Sequence, residues 1–207
     1  MVEKRSRTMP PLRDCDMDED LVKRAKAGST HAFDQLVRRY QNGVRGFLRR
    51  IVFEPSFADD LAQETFLKAW QNLSQWRGAG GEGGSFKGWL FSIAWNKAND
   101  ARKSQGRSLR RDNVWSQEQD GPPDPENASR VRLDLDRVLQ ALTPEQKLVV
   151  SLCYGAGLSH SEAAQALNMP LGTVKSHAVR GRDRAIELLK DLPPPLDQTT
   201  SSTRKSA

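Results

Sequence analysis

From Thr30 onward, Phe33, Leu36, Val37, Tyr40, Val44, Phe47, Leu48 and Ile51 recur at steps of three and four residues, with polar and charged side chains between them. That period is one face of an α-helix and predicts a helix over roughly 30–53 whose apolar stripe is core. Upstream, 18–27 reads as a shorter helix stopped at Gly28. Pro55 breaks the chain, and Ser56 followed by Asp59 has N-cap spacing, so a third helix is expected over about 56–76. After a glycine-rich stretch at 78–84, Phe86, Trp89, Leu90, Ile93 and Ala94 share one side of a fourth helix that runs to about Lys103. No segment of convincing length alternates with period two, and the fold class is all-α.

Residues 105–129 break this pattern. Gly121-Pro122-Pro123-Asp124-Pro125 can neither propagate a helix nor supply a core. The chain therefore divides into two small helical domains, 16–104 and 130–190, joined by a flexible linker at 105–129, with disordered tails at 1–15 and 191–207. In the second domain Val131, Leu135, Val138, Leu139 and Leu142 mark one helix, and Thr143-Pro144-Glu145-Gln146 starts another that ends before Gly155-Ala156-Gly157. Ser159-His160-Ser161-Glu162 is a capping box that opens a short helix through Leu167. Asn168-Met169-Pro170 forces a turn, because proline cannot extend the preceding helix. In the helix that follows, Val174 and Ala178 face inward against Ala163, Ala164 and Leu167, with Leu158 closing the cluster. Short helix, tight turn and basic helix, in that order, make a helix-turn-helix.

Charge adds a partner class. The 207 residues carry a net charge of +6, which favours polyanions such as nucleic acid. No apolar run approaches the roughly 20 residues of a membrane span, so no membrane insertion is expected and the location is cytoplasmic. Cys15 and Cys153 lie far apart and read as free thiols, and His31, His160 and His177 have no ligand spacing, so neither metal nor cofactor is expected.

On the last helix Lys175, Ser176, Val179 and Arg180 lie toward the exposed face, with Thr173, His177 and Arg182 as further candidate DNA contacts. Lys and Arg grip phosphates or pair with guanine edges, whereas Ser176 and His177 suit either task. Cations on a helix often only solvate it. Here the order and lengths of the elements favour a recognition helix in the major groove. Gly181 interrupts it and weakens it by up to ~1 kcal/mol relative to Ala.

The string Gly172-Thr173-Val174-Lys175-Ser176-His177, after Leu158-Ser159 and Glu162-Ala163-Ala164, resembles the promoter-reading C-terminal domain of bacterial sigma factors. Residues 59–70, Asp-Asp-Leu-Ala-Gln-Glu-Thr-Phe-Leu-Lys-Ala-Trp, resemble that family's core-polymerase-binding helix, and 86–100 its promoter-melting helix. With a linker too short for further domains, the chain is similar to the extracytoplasmic-function (ECF) group.

The resemblance implies partners. Asp60, Gln63 and Glu64 lie within about one turn of one another as a polar, acidic patch. In the family such a patch meets the clamp coiled coil of the largest subunit of core RNA polymerase, and the flap region is a further contact. Ser92, Trp95, Asn96 and Asn99, continued by Arg102 and Lys103, form a polar stripe that suits melted DNA, since bare bases offer stacking faces and unpaired edges. By resemblance Asn96 and Asn99 meet the -10 element. Trp95 stands where relatives carry Arg, and stacking on a base or burial in the domain interface are both open to it. The glycine-rich loop sits where relatives hold a flipped base, with a plain connector as the alternative. The HTH would read duplex DNA at -35, and an anti-sigma factor is a partner implied by resemblance alone. The expected role is a non-enzymatic initiation factor; the alternative is a stand-alone helix-turn-helix regulator with an N-terminal sensing domain. A nucleic-acid-processing enzyme is disfavoured because Asp59, Asp60 and Glu64 lack converging ligands from elsewhere.

Overall fold

The Ser29 hydroxyl accepts a hydrogen bond from Ala32 N at 3.3 Å, and a helix of 22 residues follows from Thr30 to Ile51. This computed structural model describes residues 14–52, 54–78, 84–109 and 135–190. In chain order the helices are α1 (Asp14–Lys26), α2 (Thr30–Ile51), α3 (Pro55–Gln71), a 3-10 turn (Leu73–Gln75) and α4 (Phe86–Leu109). After α5 (135–140) come α6 (Pro144–Val150), a π-helical turn (Ser151–Gly155), α7 (His160–Leu167) and α8 (Leu171–Lys190). Among the described residues there is no strand.

The first four helices form one bundle. The α2 stripe supplies its centre, with Leu36, Val44, Phe47 and Leu48 almost fully buried against Leu90, Phe91, Ala94 and Ala98 of α4. Phe47 and Phe91 meet edge to face with ring centroids 5.6 Å apart, a favoured aromatic geometry. The start of α3 differs from expectation. Glu54 is the N-cap and Pro55 occupies the first turn, where its fixed φ suits a helix and its missing N–H is not needed. The Ser56 hydroxyl instead donates to Glu54 Oε1 at 2.6 Å. Helix α3 also ends at Gln71, before Trp76, which is buried beside Phe86.

A buried polar contact ties α1 to α2: the Asp18 carboxylate accepts hydrogen bonds from Arg39 and from the Tyr40 hydroxyl. Burying an ionised carboxylate is tolerable only with such partners.

In the second unit both capping boxes form, at Thr143 with Gln146 and at Ser159 with Glu162. Asn168 ends α7 in the left-handed region at φ 51°, a conformation Asn tolerates better than most residues. Val131 lies outside the described residues, whereas Val138, Leu139 and Leu142 are buried. Helix α4 continues to Leu109, beyond residue 105 where the sequence places the linker's start.

The two helical units pack on one another. Helix α4 lies along α7, α2 touches the π-helical turn, and one continuous buried cluster runs from Leu21 through Phe91 to Ala163 and Ala178. No local pattern anticipates this, because the contacting residues are separated by the whole intervening linker.

Candidate nucleic-acid interface

Helix α8 is two-faced. Val174 and Ala178 are buried against the α7 unit, which leaves Lys175, Val179 and Arg180 exposed and Thr173 and Ser176 half-buried at the edges. Val179 is 47% exposed, an apolar side chain held out beside cations, where it can meet a thymine methyl. His177 is half-buried, and its Nδ1 is shut off from solvent without a hydrogen-bond partner. Arg182 is exposed but engaged by its neighbour, with Nε 3.1 Å and Nη2 2.9 Å from Asp183 Oδ1. Of the seven residues singled out on this helix, Lys175, Val179 and Arg180 are exposed and stand outside the Arg182–Asp183 pair.

On α4 the stripe is present but uneven. Asn96, Arg102 and Lys103 are exposed, and Ser92, Trp95 and Asn99 are half-buried. The Ser92 hydroxyl donates to Trp89 O at 2.7 Å, which ties it to its own helix. Trp95 packs on the core with part of its surface left open. Trp89, on the apolar side of the same helix, is likewise half-buried. Of the glycine-rich loop, Gly78 and Gly84 have φ of 91° and 58°, and the base pocket considered there falls at 79–83, outside the described residues.

The acidic patch on α3 is exposed at Asp60, Gln63 and Glu64. Glu64 Oε2 is 2.7 Å from Lys97 Nζ on α4, an exposed pair of little net energy. Asp59 is bridged to Arg49 at 2.8 Å and points away from the role of an open acid. Among the described residues no group of three or more His, Cys, Asp or Glu could hold a metal ion, and no helix is long and apolar enough to cross a membrane.

Comparison with known proteins gives these faces a context. The family described as Sigma-70 region 2 matches residues 36–108, and Sigma-70, region 4 matches 132–184. The ECF RNA polymerase sigma-E factor of Haemophilus influenzae is 31% identical over 179 residues, covering 80% of this chain and 92% of that one. The chain belongs to the ECF sigma factors. The sigma-E factor of Escherichia coli is 32% identical over 179 residues, covering 80% of this chain and 91% of that protein. Among solved structures, the sigma factor RpoE in complex with the anti-sigma factor NepR from Bartonella quintana superposes with a TM-score of 0.66 at 27% identity, over 77% of this chain and 97% of that one. CnrH in complex with the cytosolic domain of CnrY gives 0.62 at 27% identity, over 84% and 98%.

In this ECF sigma factor the region 2 match runs from within α2 to within α4, and the region 4 match takes in α5–α7 and most of α8. One exposed apolar side chain stands beside the acidic patch of α3 without a counterpart among the expected contact residues. Leu67, 58% exposed, follows Gln63 and Glu64 on the same α3 face at helical spacing. Trp70 is also 37% exposed, its ring 4.8 Å from that of Phe33, so α3 carries apolar surface in the open near its end. A leucine one turn beyond the acidic residues was the available signal in the sequence, but its spacing equally fits a core position.

Proposed function

We propose that this ECF sigma factor holds core RNA polymerase with α3 and reads two promoter elements, one with each helical unit. Asp60, Gln63 and Glu64 contact the clamp coiled coil of the largest polymerase subunit, and the HTH unit makes a second contact at the flap region. Lys175, Ser176, Val179 and Arg180 reach base edges in the major groove of the -35 element, with Thr173, His177 and Arg182 beside them at the groove wall. On α4, Asn96 and Asn99 present amides to unpaired bases of the -10 element, Ser92 and Trp95 line the same stripe, and Arg102 and Lys103 follow the backbone. Capture of unstacked bases offsets the cost of unpairing them. The chain performs no covalent chemistry, works in the cytoplasm, and is held when idle by an anti-sigma factor of the kind bound to the Bartonella quintana relative.

The observation that carries this reading is the division of α8 into a buried apolar face and an exposed face bearing Lys175, Val179 and Arg180, in a chain with both sigma regions in order. Run-off transcription from a promoter library with purified core polymerase tests it. Promoter-specific initiation is expected only when the chain is added. A chain that binds duplex DNA specifically by itself yet confers no initiation would instead be a stand-alone regulator.

A further inference from the structure

A cavity of about 350 Å³ lies between the second half of α1 and the residues that follow the 3-10 turn, at the small end of ligand-sized cavities. Lys23 and Lys26 line it from one face of α1, and Trp76 and Arg77 line it from the other segment. Both lysines and Arg77 are exposed. Glu19 is the only acid among the described residues of the lining, so the walls carry a net positive charge. The last turn of a helix favours cations, which accounts for Lys23 and Lys26 but not for Arg77.

Two of these groups are already fixed. Trp76 is 5% exposed and packs edge to face on Phe86, with ring centroids 6.0 Å apart. Lys26 Nζ donates to Trp76 O and sits 5.6 Å from the centre of the indole ring. One of its three N–H donors is thus engaged, and two remain for an anion. A cation held in place loses little further freedom when it binds. The Trp76 indole N–H is buried without an acceptor among the described residues, and a buried donor left unpaired marks a place where a partner is wanting. Arg77 adds a planar guanidinium, whose fork of donors matches phosphate oxygens.

The position of the cavity selects the source of the phosphate. Phe86, on which Trp76 packs, opens α4, and Asn96 lies about 15 Å further along that helix at ~1.5 Å per residue. A stacked strand at ~3.4 Å per nucleotide covers this in about four to five nucleotides. We infer that the cavity is a phosphate site, in which Lys23, Lys26 and Arg77 hold one phosphodiester of the melted strand about four to five nucleotides from the base met by Asn96. The site rests on the -10 reading proposed above. It lengthens the grip on the open strand and adds no sequence preference, because a phosphate carries none.

Neutral linkages test it. Holoenzyme made with the full chain is titrated with fork-junction promoter DNA whose -10 strand is left single, and a methylphosphonate is moved along that strand one linkage at a time. At one linkage in the stated range the parent is expected to bind about two- to fivefold more weakly, as for an exposed ion pair. The chain carrying Lys23→Ala and Arg77→Ala should lose nothing further at that linkage, while Arg77→Lys alone should keep the parental response. With the unmodified strand, the double variant should show a salt dependence shallower by about 0.7 in log–log slope, the share of one single-strand phosphate. Additive losses from the neutral linkage and the double variant at every position overturn the site. Free ATP that binds the parent and not the double variant, without any linkage effect, reassigns the cavity to a free nucleotide and overturns strand capture. Parental holoenzyme that binds no fork DNA sinks the -10 reading itself, whereas fork binding indifferent to every linkage in the range sinks this site alone.

Discussion

Gly181 on α8 crosses Val150 on α6 so closely that a Cβ at 181 would lie 2.7 Å from Val150 Cγ2 and 3.4 Å from Gln146 Cβ. In sequence Gly181 counts only as a weak point in a helix. In the fold it is buried and sets how closely the two helices approach. Gly181→Ala is therefore expected to destabilise the chain by ~1 kcal/mol net, since overpacking of about 1–3 kcal/mol outweighs a helix-propensity gain of about 1 kcal/mol. Adding Val150→Ala should restore part of the loss. Urea unfolding of the two variants checks this, and a Gly181→Ala chain more stable than the parent would contradict it.

Arg180 offers a test of the reading face that leaves the core alone. Arg180→Ala should lower initiation at promoters that depend on the -35 element, with discrimination falling by ~1–3 kcal/mol if the guanidinium pairs with a base edge. Core polymerase binding, followed by gel filtration, should not change. Loss of core binding would reassign the residue.

Asp18 holds α1 on the bundle through Arg39 and the Tyr40 hydroxyl. Asp18→Ala removes the acceptor that both donors use, and a loss of ~2–3 kcal/mol is expected in thermal or urea unfolding. A neutral result would mean that α1 contributes little to the bundle.

Cys153 is a half-buried free thiol whose pKa is raised, first by desolvation and then by the Glu162 charge. Little thiolate is present near neutrality, so alkylation of a Cys15→Ser chain should be slow when folded and fast in denaturant. Glu162→Gln should speed the native reaction. Equal native and denatured rates would refute the burial.

Glu162 gives the stability of the fold a pH dependence. Partial burial opposes its ionisation, but hydrogen bonds from Ser85 and from the Ser159 backbone and hydroxyl, with the nearby Lys87 charge, outweigh this and hold its pKa below the ordinary value. A depressed folded-state pKa stabilises above the unfolded value, about 4.3 for Glu, and that contribution is lost as pH falls through the folded value. The Glu162→Gln chain should thus lose less stability than the parent on acidification from about pH 5 to about pH 3, read by urea unfolding at each pH. A parent that loses no more stability than the variant would have the wrong sign.

Much of this molecule is written locally. The three- and four-residue steps of α2, both capping boxes of the second unit and the Asn168-Met169-Pro170 turn each lie within a few residues, and each forms. The burial of Val174 and Ala178 follows from the same period and leaves the basic face of α8 outward. What could not be read depends on distant partners. Asp18 looks like a surface acid until Arg39 and Tyr40 come to it from α2. Glu162 reads fully as a capping residue, and its second partner, Ser85, is 77 positions away. Ser56 and Pro55 carry competing helix-start signals within one turn, and the proline prevails because its geometry is already fixed. Gly181 has no side chain to display a preference, so its neighbour alone explains it.

Helix α8 runs unbroken for 20 residues, from the turn after Pro170 to Lys190. At about 1.5 Å per residue that is a beam about 30 Å long. Its first half carries Lys175 and Arg180, and its last turns hold Ile186 and Leu189 out at 46% and 52% exposure. The close Gly181–Val150 crossing lies between them. A tilt of about 5° about that point swings either end by about 1 Å, enough to stretch a hydrogen bond to a base edge. On the proposed reading, the DNA-facing end of α8 and its apolar far end thus move in opposite senses about one glycine.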